Sequence, residues 1–119
     1  MLARKHRYHG HNAVRLTYRQ GQTVRGALGS LHFHPNDRRH DYRLAVVVSK
    51  KVDKSAVARN RIRRRVYESV RQQADHIKKP YDLVITIYTD QAATMPHEEL
   101  EHGVTALLKQ ARVIDGKQG

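Results

Sequence analysis

Two short apolar runs, residues 42–48 (YRLAVVV) and 82–88 (DLVITIY), bracket a segment that no core can absorb. From residue 50 to residue 65 the chain reads KKVDKSAVARNRIRRR, with eight of its 23 Lys and Arg and a single acid, Asp53. Apolar, β-branched runs of this length predict strands covered on both faces. Between them, Ala58, Ile62, Val66, Ser69, Val70 and Gln73 recur at helical spacing, which predicts a helix over residues 55–74. Asn60, Arg61, Arg64, Glu68 and Arg71 fall on its opposite side. The dense charge is therefore carried on the outer face of a helix suited to packing under a sheet.

Five arginines fall within seven residues: Arg59, Arg61, Arg63, Arg64 and Arg65. Like charges packed this closely repel one another and lower the stability of the free protein, so a polyanion is the expected partner. The whole chain carries a formal charge of +12, and its pI is about 10.5. The charge is lopsided: residues 1–79 hold twenty Lys and Arg against five acids, and residues 80–119 three against six. An arginine fork fits two phosphate oxygens or a guanine edge and keeps its charge. Arg59 and Arg63 share one helical flank, while Arg61, Arg64 and Arg65 are placed around the outer face. Asn60 can donate or accept toward a base, a ribose or a backbone carbonyl.

Other readings of the helix are weaker. A solvated charged face would need carboxylates, and only Asp53 and Glu68 are near. A lipid-binding helix needs bulky apolar residues opposite its cations, whereas this one offers Ala58, Ile62, Val66 and Val70. A strand rather than a short helix precedes Ser55, so no helix-turn-helix is formed and DNA is not the expected partner. RNA fits better, with Tyr18 and Phe33 as candidates to stack on unpaired bases.

The 119 residues suffice for one domain. Residues 1–10 read as a loose basic arm, and residues 113–119 as a flexible tail. A short helix is expected from Asn12, with Val14 and Tyr18 on one face and Gly21 stopping it. Residues 22–34 read as extended chain interrupted at Gly26 and Gly29, and residues 35–37 as a turn. Pro96 starts a final helix with Leu100, Val104, Leu107, Leu108 and Ala111 at core spacing; Gly103 costs it a little. The chain has no cysteine, no signal core and no apolar run long enough to span a membrane, so a cytoplasmic protein without a membrane partner is expected. Its acids are scattered, and no catalytic residue is expected in the chain itself. His6, His9 and His11, and His32 with His34, have spacings that suit a metal, yet histidines among cations more simply add partial charge near phosphate. No metal site is expected.

The run Val48-Ser49-Lys50-Lys51, followed by Ala56-Val57-Ala58-Arg59-Asn60-Arg61-Ile62-Arg63-Arg64, closely resembles the signature of the bacterial ribonuclease P protein subunit. Weaker similarity extends over residues 12–112. The resemblance implies an α+β fold, an α/β sandwich of order αβββαβα whose basic helix lies in a left-handed βαβ crossover. It implies a ribonucleoprotein in which a catalytic RNA, using Mg²⁺, removes the 5′ leader of precursor tRNA. The protein would bind that RNA through Ser49, Lys50, Lys51, Lys54, Arg59, Asn60, Arg61, Arg63, Arg64 and Arg65. It would hold the unpaired leader through Val14, Arg15, Tyr18 and Phe33. Three positions depart from the family: Val14 replaces a usual Phe, Lys54 a small residue, and Tyr88 a strand-end Arg. From the residues alone, an RNA-binding or ribosome-associated module remains the alternative to a subunit of an RNA enzyme.

Overall fold

The computed structural model describes residues 21–77 and 79–114. Strands β1 (Gln22–Arg25), β2 (Gly29–Pro35) and β3 (Arg43–Val47) are followed by helix α1 (Ala56–Gln72), strand β4 (Tyr81–Ile87) and helix α2 (His97–Gln110). Short 3-10 turns occupy Ala74–His76 and Asp90–Ala93. The expected helix beginning at Asn12 lies outside the described residues.

The sheet runs β1-β2-β4-β3. β2 lies antiparallel to both β1 and β4, while β3 and β4 run parallel with α1 in the connection between them. Strand periodicity divides the side chains between two faces. Leu31, Phe33, Leu44, Val46, Leu83, Ile85 and Ile87 join Ile62, Val66 and Val70 of α1 and Leu100, Val104, Leu107 and Leu108 of α2 in one core. The other face carries Ser30, His32 and His34 of β2, Ala45 and Val47 of β3, and Val84 and Thr86 of β4. Ala45 and Val84 form a separate small apolar cluster there, with Val47 packed against it.

The two helices are stabilised differently. In α1, Ser55 caps the first turn by accepting from the Ala58 amide at 3.2 Å, a contact worth about 1 kcal/mol. No acid stands in that turn, and the cations that follow oppose the helix dipole. In α2, Glu98 and Glu99 at the start and Lys109 at the end match the dipole. Burial of one stripe holds α1 in place, and its outer face adds little.

Glycines account for two close approaches. A Cβ on Gly29 would stand 1.8 Å from the Thr86 carbonyl oxygen of β4, so β2 starts there only because no side chain intervenes. Gly103 admits Leu28 against α2: a Cβ would lie 2.7 Å from a Leu28 methyl carbon. The cost of Gly103 to helix propensity is thus tied to a packing contact. Leu28 itself reaches the helix-side core rather than the face of Ser30 and His32.

The chain end also differs from expectation. Val113 and Ile114, placed by sequence in a flexible tail, are buried, and Ile114 bridges Ile77. Their apolar side chains close the end of the core beyond α2, whereas residues 115–119 lie outside the described set.

Candidate nucleic-acid interface

The basic segment folds as a turn followed by the first turns of α1. The Val52 amide donates to the Ser49 carbonyl at 3.1 Å, which sets Lys50 and Lys51 at the corners of a turn. Ser49, Lys50, Lys51 and Lys54 are all exposed. Asp53, the one acid, accepts from the Ser55 amide at 2.9 Å and so serves the helix start. Arg59 folds back on the turn, its Nη1 donating to the carbonyls of Asp53 and Lys54 at 2.9 Å each. It therefore fixes where the lysines stand relative to the helix. Asn60 accepts from Nη2 of Arg63, pairing two of the expected contact residues with each other.

Arg61 and Arg64 are different. Both are exposed, and among the described residues neither side chain has a hydrogen-bond partner. In the last turn of the helix, Arg71 is neutralised instead by Glu68, whose carboxylate accepts from Arg71 Nε at 3.1 Å. That hydrogen bond holds Glu68 below the usual carboxylate range and raises Arg71. The unmatched charge on α1 is thus concentrated in its first half, beside Lys50, Lys51 and Lys54.

Arg65 does not belong to this outer surface. Its Nη1 donates to the Ala92 carbonyl at 2.8 Å and its Nη2 to the Met95 carbonyl. The guanidinium ties α1 to the segment after β4. On a helical wheel Arg65 lies about 60° from Ile62 and about 40° from Ser69, a flank position that the spacing of the buried stripe already indicates.

Phe33 is likewise displaced from its expected role. It is buried on the helix-covered side of the sheet, edge-on to Tyr81 with ring centroids 6.4 Å apart. The aromatic that stands on the same side as Ser30 is Tyr88, whose hydroxyl hydrogen-bonds Ser30 Oγ at 3.0 Å. Tyr88 is 55% exposed, so this face carries an accessible aromatic. His32 and His34 alternate on this face, and Arg25 adjoins them: burial, then the Arg25 charge, hold His32 below its usual pKa. Val14, Arg15 and Tyr18 lie outside the described residues, as do His6, His9 and His11. Among the described residues no three His, Asp or Glu side chains converge as a metal site, and no helix is long and apolar enough to cross a membrane.

The fold and these exposed cations define an α+β domain with a strongly basic surface on one helix. The family model for ribonuclease P matches residues 2–112. The ribonuclease P protein component of Chloroflexus aurantiacus is 43% identical over 77 residues, covering 65% of this chain and 56% of that protein. The stretch that aligns thus spans just over half of that relative's length. The corresponding protein of Clostridium novyi is 37% identical over 98 residues, 82% of this chain and 85% of its own. The Staphylococcus aureus RNase P protein structure superposes with a TM-score of 0.82 at 24% identity, covering 92% of this chain and 98% of that one. The chain belongs to the ribonuclease P protein family.

Proposed function

We propose that this chain is the protein subunit of a ribonuclease P ribonucleoprotein and assists removal of the 5′ leader from precursor tRNA in the cytoplasm. The observation that carries this reading is the unmatched, exposed cation surface of Lys50, Lys51, Lys54, Arg61 and Arg64, supported from behind by Arg59. It faces the catalytic RNA, while the sheet face bearing Arg25, His32, His34 and Tyr88 receives the single-stranded leader. The Arg25 guanidinium and one accessible ring suit an unpaired strand, since a phosphate meets the charge and a base meets the ring. Mg²⁺-dependent hydrolysis belongs to the RNA, whose phosphates supply the oxygen ligands that Mg²⁺ prefers.

Reconstitution tests this reading. With its RNA at low Mg²⁺, the protein is expected to raise the rate of leader cleavage, and Arg61→Ala with Arg64→Ala to abolish most of that gain. RNA binding without stimulation would leave a binding module of another ribonucleoprotein. No binding at physiological ionic strength would remove the reading altogether.

A further inference from the structure

The start of α1 and the 3-10 turn at Asp90–Ala93 do not close on each other. Between them lies a groove of about 420 Å³. Small organic ligands occupy sites of roughly 300–1,000 Å³, so the space suits one planar ring system with its sugar. Its apolar surface comes from Val57 and Ala58 of α1 and from Ala93 across the gap. Val57 is 70% exposed, although it is a branched aliphatic placed among Lys54, Arg59 and Arg61. Such a side chain contributes nothing to the core, and it adds apolar surface where the chain otherwise presents charge.

The polar groups divide by sign. Asp53 and Arg61 line the groove from the side of α1, and Asp90, Gln91 and Thr94 line it from the side of the 3-10 turn. The carboxylates disfavour a phosphate beside them. Arg61 favours one beside itself. A nucleotide satisfies both conditions when its base meets Asp90 and Gln91 and its phosphate meets Arg61. Asp90 accepts hydrogen bonds from exocyclic amino groups, and the Gln91 amide both donates and accepts, so each finds partners on a base edge.

The far wall is held in place by Arg65, through its bonds to the carbonyls of Ala92 and Met95. One helical turn thus supplies both a cation for the ligand and the fastening for the opposite side. We infer that this groove receives a single unstacked nucleobase of the RNA bound by α1, with Val57 against the base, Arg61 on its phosphate and Arg65 as the positioning residue. The inference rests on the RNA-binding reading and adds a base-sized contact to what is otherwise phosphate recognition.

The test uses the full chain and its ribonuclease P RNA, titrated over a range of salt concentrations. Val57→Ala is expected to melt as the wild type does, because the side chain is exposed. It should bind the RNA about fivefold more weakly, near the low end of what a base contact contributes. The salt slope should not change, because no ionic contact is removed. Gln91→Cys carrying a photoreactive aryl azide should cross-link to a nucleotide that is unpaired in the RNA. Affinity of Val57→Ala within twofold of the wild type overturns the inference, as does a lowered salt slope or a cross-link confined to paired nucleotides. Failure of the wild type itself to bind RNA would instead overturn the function proposed above.

Discussion

Arg43 and Asp82 stand directly opposite each other where β3 and β4 run parallel, and their side chains close a two-pronged ion pair. Arg43 Nε donates to one carboxylate oxygen and Nη2 to the other, each at 2.8 Å. The second oxygen also accepts from Asn36 Nδ2 at 3.0 Å. One carboxylate thereby joins two strands and the loop that leads between β2 and β3. The Asn36 amide donates to the Pro80 carbonyl at 2.7 Å, so the loop is fastened again beside the start of β4.

Removing this carboxylate should be among the more damaging single changes outside the apolar core. The Asp82 side chain is only 7% exposed and that of Arg43 23%. Breaking a well-buried pair costs about 3–5 kcal/mol, and partial exposure of the arginine places Asp82→Ala near the low end, about 3 kcal/mol. Arg43→Ala should cost at least as much, because it leaves the nearly buried carboxylate ionised against the neutral Asn36 amide. Urea midpoints of the two variants and the double variant check this. Additive losses would show that the pair contributes no coupling.

The helix carrying the basic surface was legible because two independent signals coincide in it. Ile62, Val66 and Val70 mark the buried stripe, and Ser55 marks its start. Which side of β2 would be covered was not legible. A period of two assigns Leu31 and Phe33 to one face and His32 and His34 to the other, but both sets contain residues able to meet RNA. Only packing of α1 and α2 against the odd-numbered side decides that Phe33 is core and that the accessible ring is Tyr88. By sequence, Arg65 falls among the outer-face arginines for a related reason. Its partners are backbone carbonyls of residues 92 and 95, and no sequence pattern reports an acceptor of that kind.

The close approach at Gly29 makes a sharp prediction. Alanine there would place a carbon 1.8 Å from the Thr86 oxygen, far inside van der Waals distance, against rigid backbone. Gly29→Ala should force β2 away from β4 at the end where their pairing begins, lowering stability by more than removal of a core methyl group. Amide exchange should rise first at Ser30 and Ile87. Protection equal to the wild type at those amides would mean that the strands absorb the side chain by a small shift.

Acid should weaken the fold through His32. Burial, reinforced by Arg25, holds its imidazole below the ordinary 6.5. The unfolded chain takes up a proton near 6.5, whereas the folded chain does so only at lower pH. The contribution to stability is therefore complete above 6.5 and is lost progressively below it. Unfolding measured from about pH 7.5 to about pH 5.5 should show a smaller loss for His32→Gln than for the wild type. Because eight other histidines remain in both proteins, the difference between the two curves isolates this side chain. Parallel curves would show that His32 titrates alike in the folded and unfolded chains.

The arginines of α1 should separate into two kinds when stability and RNA affinity are measured together. Arg61 and Arg64 have no hydrogen-bond partner among the described residues, so Arg61→Ala with Arg64→Ala should leave the melting temperature unchanged or raise it slightly as like-charge repulsion falls. The same double variant should reduce the log–log salt slope of RNA binding by about two, one for each phosphate that no longer meets a guanidinium. Arg65→Ala should do the reverse. It leaves the carbonyls of Ala92 and Met95 without their donors, which costs about 2 kcal/mol, with the salt slope intact. Lysine at position 65 can replace one bond but not the fork, so Arg65→Lys should recover only part of the stability. An Arg65→Ala protein as stable as the wild type, with its slope lowered by about one, would return Arg65 to the RNA surface and detach it from the wall it is held to fasten.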